Sequence, residues 1–331
     1  MRLADRLVVV GAFLAGGCSL LTGASDLHVG APDDESAPDG SVVDGTVDDA
    51  RLPQLDGALE ASGKDAAADA SPARCDLAKP FGAPVLVGGI GGGLGGAGSD
   101  FGCTLTRDER TIYFSSDRPG GSGGFDLYTA TRANADAPFS AATPMLAVNT
   151  ADDERHPSIT SDGLALVFRT SPPGGVGDVL LALRLATLLP FGKPTPVANV
   201  NSAQEEADPF VTPSGDAIYL ARTGGIFVAA RQGLTYGTPT PVQGLAGFSD
   251  PTLSDDELTM FVALGPSGAG QNIQVATRAS KSAAFGAPVD VPALNSTAAD
   301  QPDWLSPDGC RLYLTSARSG PPRLYVAARP L

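Results

Sequence analysis

A twelve-residue pattern recurs five times in the chain. It reads LTRDERTIYFSS from Leu105, ITSDGLALVFRT from Ile159, VTPSGDAIYLAR from Val211, LSDDELTMFVAL from Leu253 and LSPDGCRLYLTS from Leu305. The hydroxyl residue in second place, Thr106, Thr160, Thr212, Ser254 and Ser306 in turn, repeats at intervals of 54, 52, 42 and 52 residues. Seven residues beyond each stands Tyr113, Val167, Tyr219, Phe261 or Tyr313. A period of this length marks a supersecondary unit that buries its apolar face by stacking on copies of itself.

Each unit carries two more strand-like segments. One ends in arginine, at Arg132, Arg184, Arg231, Arg278 and Arg329; the other opens on an aromatic and contains proline, at Phe81, Phe139, Phe191, Tyr236 and Phe285. Asp162-Gly163, Ser214-Gly215 and Asp308-Gly309 are turn formers that join a first strand to the central one. Glycine-rich stretches such as Pro119 to Gly124 lead on to the arginine strand. The fourth strand tolerates proline because it lies at an edge. Four short antiparallel strands per unit predict an all-β fold, a β-propeller of four-stranded antiparallel blades. The aromatic-proline strand stands before the first central motif and is missing after the last. The segment near Phe81 to Val87 is therefore expected to complete the final blade and close the ring. Five cores and five outer strands give five blades. Six is the alternative, but Gly88 to Ser99 is too short and glycine-rich to supply a degenerate unit.

The fifth unit, Leu305-Ser306-Pro307-Asp308-Gly309 followed by Leu312-Tyr313-Leu314-Thr315-Ser316-Ala317-Arg318, resembles the WD40-like PD40 repeat of the TolB-type propellers. The first matches through Ile112 to Arg118 and Asp126-Leu127-Tyr128, with Arg107-Asp108-Glu109 where Pro-Asp-Gly is usual. The third has Ser214-Gly215 at the turn, and the fourth has Asp255-Asp256-Glu257. The resemblance spans residues 81 to 329 and implies the fold; propellers host many activities, so it implies no particular one. The helical N-terminal domain of the TolB family has no counterpart in residues 19 to 74.

Arg2 and Arg6, the apolar stretch Leu7 to Leu14 and the small residues Ala15-Gly16-Gly17 before Cys18 form a secretory signal. With the cysteine in that place, residues 1–18 resemble a bacterial lipoprotein signal, with Ala15 where that family usually has leucine. The resemblance implies lipidation of Cys18 and, with Ser19 next, an outer-membrane lipoprotein. Several acyl chains on one residue anchor stably. Residues 19–74 hold 12 acidic and 3 basic side chains and no aromatic, and read as an acidic, disordered tether. The propeller is expected over 75–331.

A net charge of −15 excludes a nucleic-acid binder as the default. The two histidines are His28, in the tether, and His156, which leaves the domain a lone candidate base. Cys75, Cys103 and Cys310 are too widely spaced for a zinc motif, and no calcium-loop pattern is present, so no metal or cofactor is expected. Asp100, Asp208, Asp250 and Asp300 each precede an inner strand; with His156 and Trp304 they are the candidates for the channel mouth. The bland reading is that the aspartates cap turns. Arg118 and Arg318 occupy equivalent positions. Arg118 is expected to staple its glycine turn by pairing with Asp126, and Asp308 to hold the last hairpin turn. In an oxidising compartment Cys75–Cys310 is the favoured disulfide, with Cys75–Cys103 or no bond as alternatives. The leading expectation is a monomeric, lipid-anchored, non-catalytic scaffold for an envelope protein, peptide or glycan. The alternatives are a glycan-acting or lactonase-like enzyme using channel carboxylates, and a purely structural surface protein.

Overall fold

The computed structural model describes residues 74–90, 98–265 and 270–331. Cys18, His28, the signal segment and the tether up to residue 73 lie outside the described residues. The first strand, β1 (Val85–Leu86), stands apart from the blade that follows it in sequence. Blade one is β2 (Asp100–Leu105), β3 (Thr111–Ser116), β4 (Asp126–Thr131) and β5 (Thr143–Pro144). Blade two is β6 (Asp153–Ile159), β7 (Ala165–Ser171), β8 (Asp178–Leu183) and β9 (Thr195–Pro196). Blade three is β10 (Ala207–Val211), β11 (Ala217–Arg222), β12 (Gly225–Gln232), the short β13 (Thr235–Tyr236) and β14 (Thr240–Ala246). Blade four is β15 (Phe248–Leu253), β16 (Thr259–Leu264), β17 (Asn272–Thr277) and β18 (Val289–Asp290). Blade five is β19 (Asp300–Leu305), β20 (Arg311–Ser316) and β21 (Arg323–Ala328), with β1 as its outer strand.

All strand pairs are antiparallel, and β1 joins β21 through Val85↔Val326 and Leu86↔Tyr325. The inner strands β2, β6, β10, β15 and β19 neighbour one another in that cyclic order, and β19 meets β2. The chain is a five-bladed β-propeller. Blade three departs from its siblings. Tyr236 ends a small hairpin with β12, its hydroxyl bonds Gly215 O at 2.9 Å, and β14 supplies the outer strand.

The core lies between the blades. Ile112, Phe114 and Tyr128 of blade one pack with Trp304, Tyr313 and Leu324 of blade five. Phe261 and Ile273 of blade four pack with Leu312, Leu314 and Phe81. Alternation along each strand sends apolar side chains to both faces, so each sheet is sandwiched between two others.

Two devices recur, the first in four of the blades and the second in three. The arginine ending the third strand lies over the aromatic of the fourth: Arg132 on Phe139 at 4.3 Å, Arg184 on Phe191 at 4.4 Å, Arg278 on Phe285 at 4.5 Å, and Arg329 on Phe81 at 4.1 Å. The same arginines donate to the turn carbonyls of Glu109, Gly163, Glu257 and Gly309. The second device is an asparagine that mimics a strand. Asn149, Asn201 and Asn295 each donate to and accept from the backbone of one residue, Leu127, Val179 and Ile273 respectively, at 2.7–3.1 Å. The N–H at that blade edge is thereby satisfied, while the carbonyl also accepts from the backbone of Met145, Val197 or Val291.

A disulfide joins Cys75 to Cys310, 235 residues apart. Arg74, at the end of the expected tether, bonds Asp308 at 2.7 Å and pairs with buried Glu109. Glu109 also meets Arg132 and Arg311, which binds the seam between blades five and one.

Candidate functional site at the propeller axis

Each inner strand is interrupted close to the axis. The pairing register shifts between Phe101 and Cys103, Arg155 and Ser158, Ala207 and Phe210, Ser249 and Thr252, and Pro302 and Trp304. Such bulges re-aim side chains. In the first four blades the displaced residue is left-handed: Gly102 at φ 45°, His156 at 51°, Asp208 at 50° and Asp250 at 53°. That region is costly for a side chain other than glycine. Counting from the residue opposite the central aromatic, the fifth member of this ring is Pro302.

The ring brings His156, Asp208 and Asp250 together. One ligand-type atom from each lies within 4.8 Å of the other two. His156 Nδ1 is 3.2 Å from Asp208 Oδ1. Asp250 is 5% exposed and accepts hydrogen bonds from Ser249 Oγ at 2.7 Å and Gln301 Nε2 at 3.3 Å. Its backbone N–H donates to Asp208 Oδ2 at 3.4 Å. Burial, and then the Asp208 charge beside it, push the Asp250 carboxyl well above the usual carboxylate range. Burial pulls the His156 imidazole below its ordinary value, against the opposing pull of Asp208.

Asp303 adds a third carboxyl. It accepts from Thr315 Oγ1 at 2.9 Å and from the Cys103 thiol at 3.6 Å, and burial raises it well above the usual range. The cavity that these residues line, with Gly102, Pro302 and neighbours, is about 20 Å³. That is room for a single water or ion. Organic ligand pockets start at about 300 Å³. A second small hollow, about 30 Å³, is lined by the ends of the inner strands and Trp304. Arg107 of blade one and Asp255 of blade four, both lining it, form an ion pair there.

The remaining sequence candidates go elsewhere. Asp100 and Asp300 do not line the axial cavity. Asp100 is buried against Arg118 at 2.6 Å, and Asp300 against Arg318 at 2.7 Å. Asp300 also accepts from the backbone and hydroxyl of Ser296. Glu154 and Glu206, which adjoin the same loops, cap Thr150 and Ser202 in the same way. Trp304 is buried edge-on against Tyr313, with ring centres 5.7 Å apart. The expected Arg118–Asp126 pair is corrected: Asp126 accepts from the backbone of Ser122 and Gly123, because the glycine turn folds its own amides onto the carboxylate. Arg118 turns instead to Asp100 and to Ile90 O. Asp308 accepts from Ser306 Oγ at 2.6 Å and Cys310 N at 3.1 Å, holding its turn. Asp303 was missed. It occupies the place held by proline in blades two, three and four, and that break in the pattern was visible in Gln301-Pro302-Asp303-Trp304.

A larger hollow of about 510 Å³ lies on the rim of the ring, between β1 with β21 and the Ala135–Phe139 turn. Its walls are Val85, Val87, Phe139 and Val326, with Arg132 and Arg311 at the polar side.

No protein-family model matches this chain, and no curated protein matches it. Solved structures similar to it include TolB from Acinetobacter baumannii, at 15% identity and TM-score 0.42, covering 70% of this chain and 55% of that one. A thermostable family-43 glycoside hydrolase gives 13% identity and TM-score 0.47, covering 72% and 91%. An exo-beta-1,3-galactanase from Phanerochaete chrysosporium gives 9% and 0.49, covering 75% and 64%. This chain thus spans about half of the TolB structure. Likeness at this level carries no inference about activity, and the propeller stands on its own strand pairing.

Proposed function

We propose that the protein is a lipid-anchored cell-envelope scaffold whose propeller binds a protein, peptide or glycan partner without chemical turnover. One observation carries the non-catalytic reading: the carboxylates at the axis enclose about 20 Å³. A glycosidase needs its two carboxylates on either side of a sugar, about 5–9 Å apart. Asp208 and Asp250 are closer than this, and no sugar unit fits between them. The rim hollow of about 510 Å³ offers a partner more room than the axis does. The anchor rests on Cys18 and the segment before it.

A glycan-acting reading draws on the close pairing of Asp208 and Asp250 and the raised Asp250 carboxyl, as a general acid would need. The size of the cavity opposes it.

The test uses the full chain expressed in a bacterial envelope. Alkyne fatty-acid labelling is expected for the wild type and lost in Cys18→Ser; equal labelling of both overturns the anchor. The purified protein is then incubated with a panel of envelope and plant polysaccharides. No product is expected. Turnover that disappears in a folded Asp208→Asn variant transfers the assignment to the enzyme.

A further inference from the structure

We propose that His156, Asp208 and Asp250 form a binding site for one divalent first-row transition cation, of the zinc class, on the propeller axis. The inference is independent of the scaffold reading and of the lipid anchor.

Three consecutive blades contribute the residue at one equivalent position, each followed by proline, and each held left-handed by its bulge. Blade one, which contributes no ligand, makes room for one. At Gly102 a Cβ would stand 2.4 Å from His156 Cδ2 and 3.0 Å from its Cα, so glycine is what leaves space for the imidazole. Blade five places Pro302 there.

The donor atoms lack the partners that the protein provides elsewhere. Asp100, Asp300, Glu206 and Glu109 are buried and each meets an arginine. Among the described residues neither Asp208 nor Asp250 is paired with arginine or lysine. His156 Nδ1 is shielded from solvent and makes no hydrogen bond, although it stands 3.2 Å from Asp208 Oδ1. A buried polar atom left in this way calls for an unseen partner. A proton shared with Asp208 would serve one atom; a cation serves all three residues.

Size and chemistry agree. The cavity of about 20 Å³ accepts one ion. Donors about 2.0–2.2 Å from zinc at tetrahedral angles lie roughly 3.4 Å apart. The His156–Asp208 separation is already near that value, and the 4.8 Å envelope of the triad closes with small side-chain movements. One imidazole and two carboxylates suit zinc or manganese; calcium asks for six to eight oxygens. A water completes the fourth position, as in open zinc sites. The expected absence of a metal drew on cysteine spacing, the lone domain histidine and the missing calcium loop, and none of these signals registers ligands that come from three blades.

The test is titration of the full chain, stripped with chelator, by zinc, manganese and calcium chlorides, read by calorimetry and by thermal unfolding. One zinc per chain at micromolar affinity or tighter is expected, with a rise in Tm. Asp208→Asn and His156→Gln should each weaken zinc at least tenfold, while His28→Ala leaves it unchanged. Cobalt in place of zinc should give a tetrahedral ligand-field spectrum in the wild type that both axial variants lose. Circular dichroism of the variants verifies folding, and the cobalt spectrum serves should one variant fail to fold. Absence of a stoichiometric transition metal overturns the proposal. So does zinc binding that survives both axial variants, or binding of calcium alone.

Discussion

The guanidinium of Arg329 lies 4.1 Å from the ring centre of Phe81, joining the third strand of the last blade to a side chain some 250 residues earlier. The same geometry holds Arg184 on Phe191 within one continuous blade. Both phenylalanines are buried. Replacing either by alanine removes a core ring and should cost about 3–5 kcal/mol. Phe81→Ala should also open the seam. Limited proteolysis near residue 90 is expected to speed up in Phe81→Ala and not in Phe191→Ala, at matched temperature below each Tm.

The disulfide between Cys75 and Cys310 closes a loop of 235 residues. In the chain-entropy account a loop of this length contributes about 5 kcal/mol. Cys75→Ser should lower the urea midpoint and steepen the slope, because the unfolded chain without the bridge exposes more surface, and reductant should do the same to the wild type. Reductant that leaves the wild-type midpoint unmoved would contradict the bond.

Asp303 provides a pH test. Its carboxyl is raised in the folded state, mainly by burial. A raised acid lends its full stability below the unfolded pKa of about 4 and loses it as pH rises through the folded value. At pH 7, above the unfolded value, holding this acid in its buried place therefore costs stability. Asp303→Asn, which keeps an acceptor for Thr315, should raise Tm by a few degrees at pH 7 in chelator and show no gain near pH 4. A gain that grows on acidification would show the opposite sign.

Gly102→Ala puts a methyl group into the space of the His156 ring, at a backbone φ of 45°. Destabilisation of about 1–3 kcal/mol is expected from strain and crowding. Zinc affinity should fall with it, even though residue 102 offers no ligand.

Cys103 is an unbridged thiol, 1% exposed, and burial first, then Asp303, raises its pKa well above the ordinary value. Thiolate is the reactive form. Iodoacetamide should leave Cys103 unmodified in the native protein at pH 8 and alkylate it in urea.

The blades were legible because their signals are local. A turn pair, an alternating strand and a terminal arginine fall within each repeat, and Phe81 already stood outside its expected place in the order. The axis was less legible because four aspartates that look alike in sequence differ by two residues in register. Asp100 and Asp300 lie four residues before Thr104 and Trp304, which pair with the central tyrosines Tyr113 and Tyr313. Asp208 and Asp250 lie only two residues before Phe210 and Thr252, the residues that pair with Tyr219 and Phe261. In a strand with a bulge, that offset separates a salt-bridged end from an axial position. Counting back from the aromatic partner would have grouped Glu154, Glu206, Asp100 and Asp300 as one set and His156, Asp208 and Asp250 as another. The arginine partners of Asp100 and Asp300 stand 18 residues on in both blades, two beyond the serine that pairs with the aspartate, a regularity that shows only once the hairpin register is known.

The pairing of β1 with β21 also imposes a timetable. The strand that completes blade five is the first part of the propeller to leave the ribosome and the last to find its partner. Through that interval β21 presents an unpaired edge and the site for Phe81 stands empty, the condition in which nascent β-proteins are most exposed to misassembly. Oxidation of Cys75 with Cys310 can follow only when the two ends have met. The fraction of chains carrying that bond is therefore a count of rings that have finished assembling.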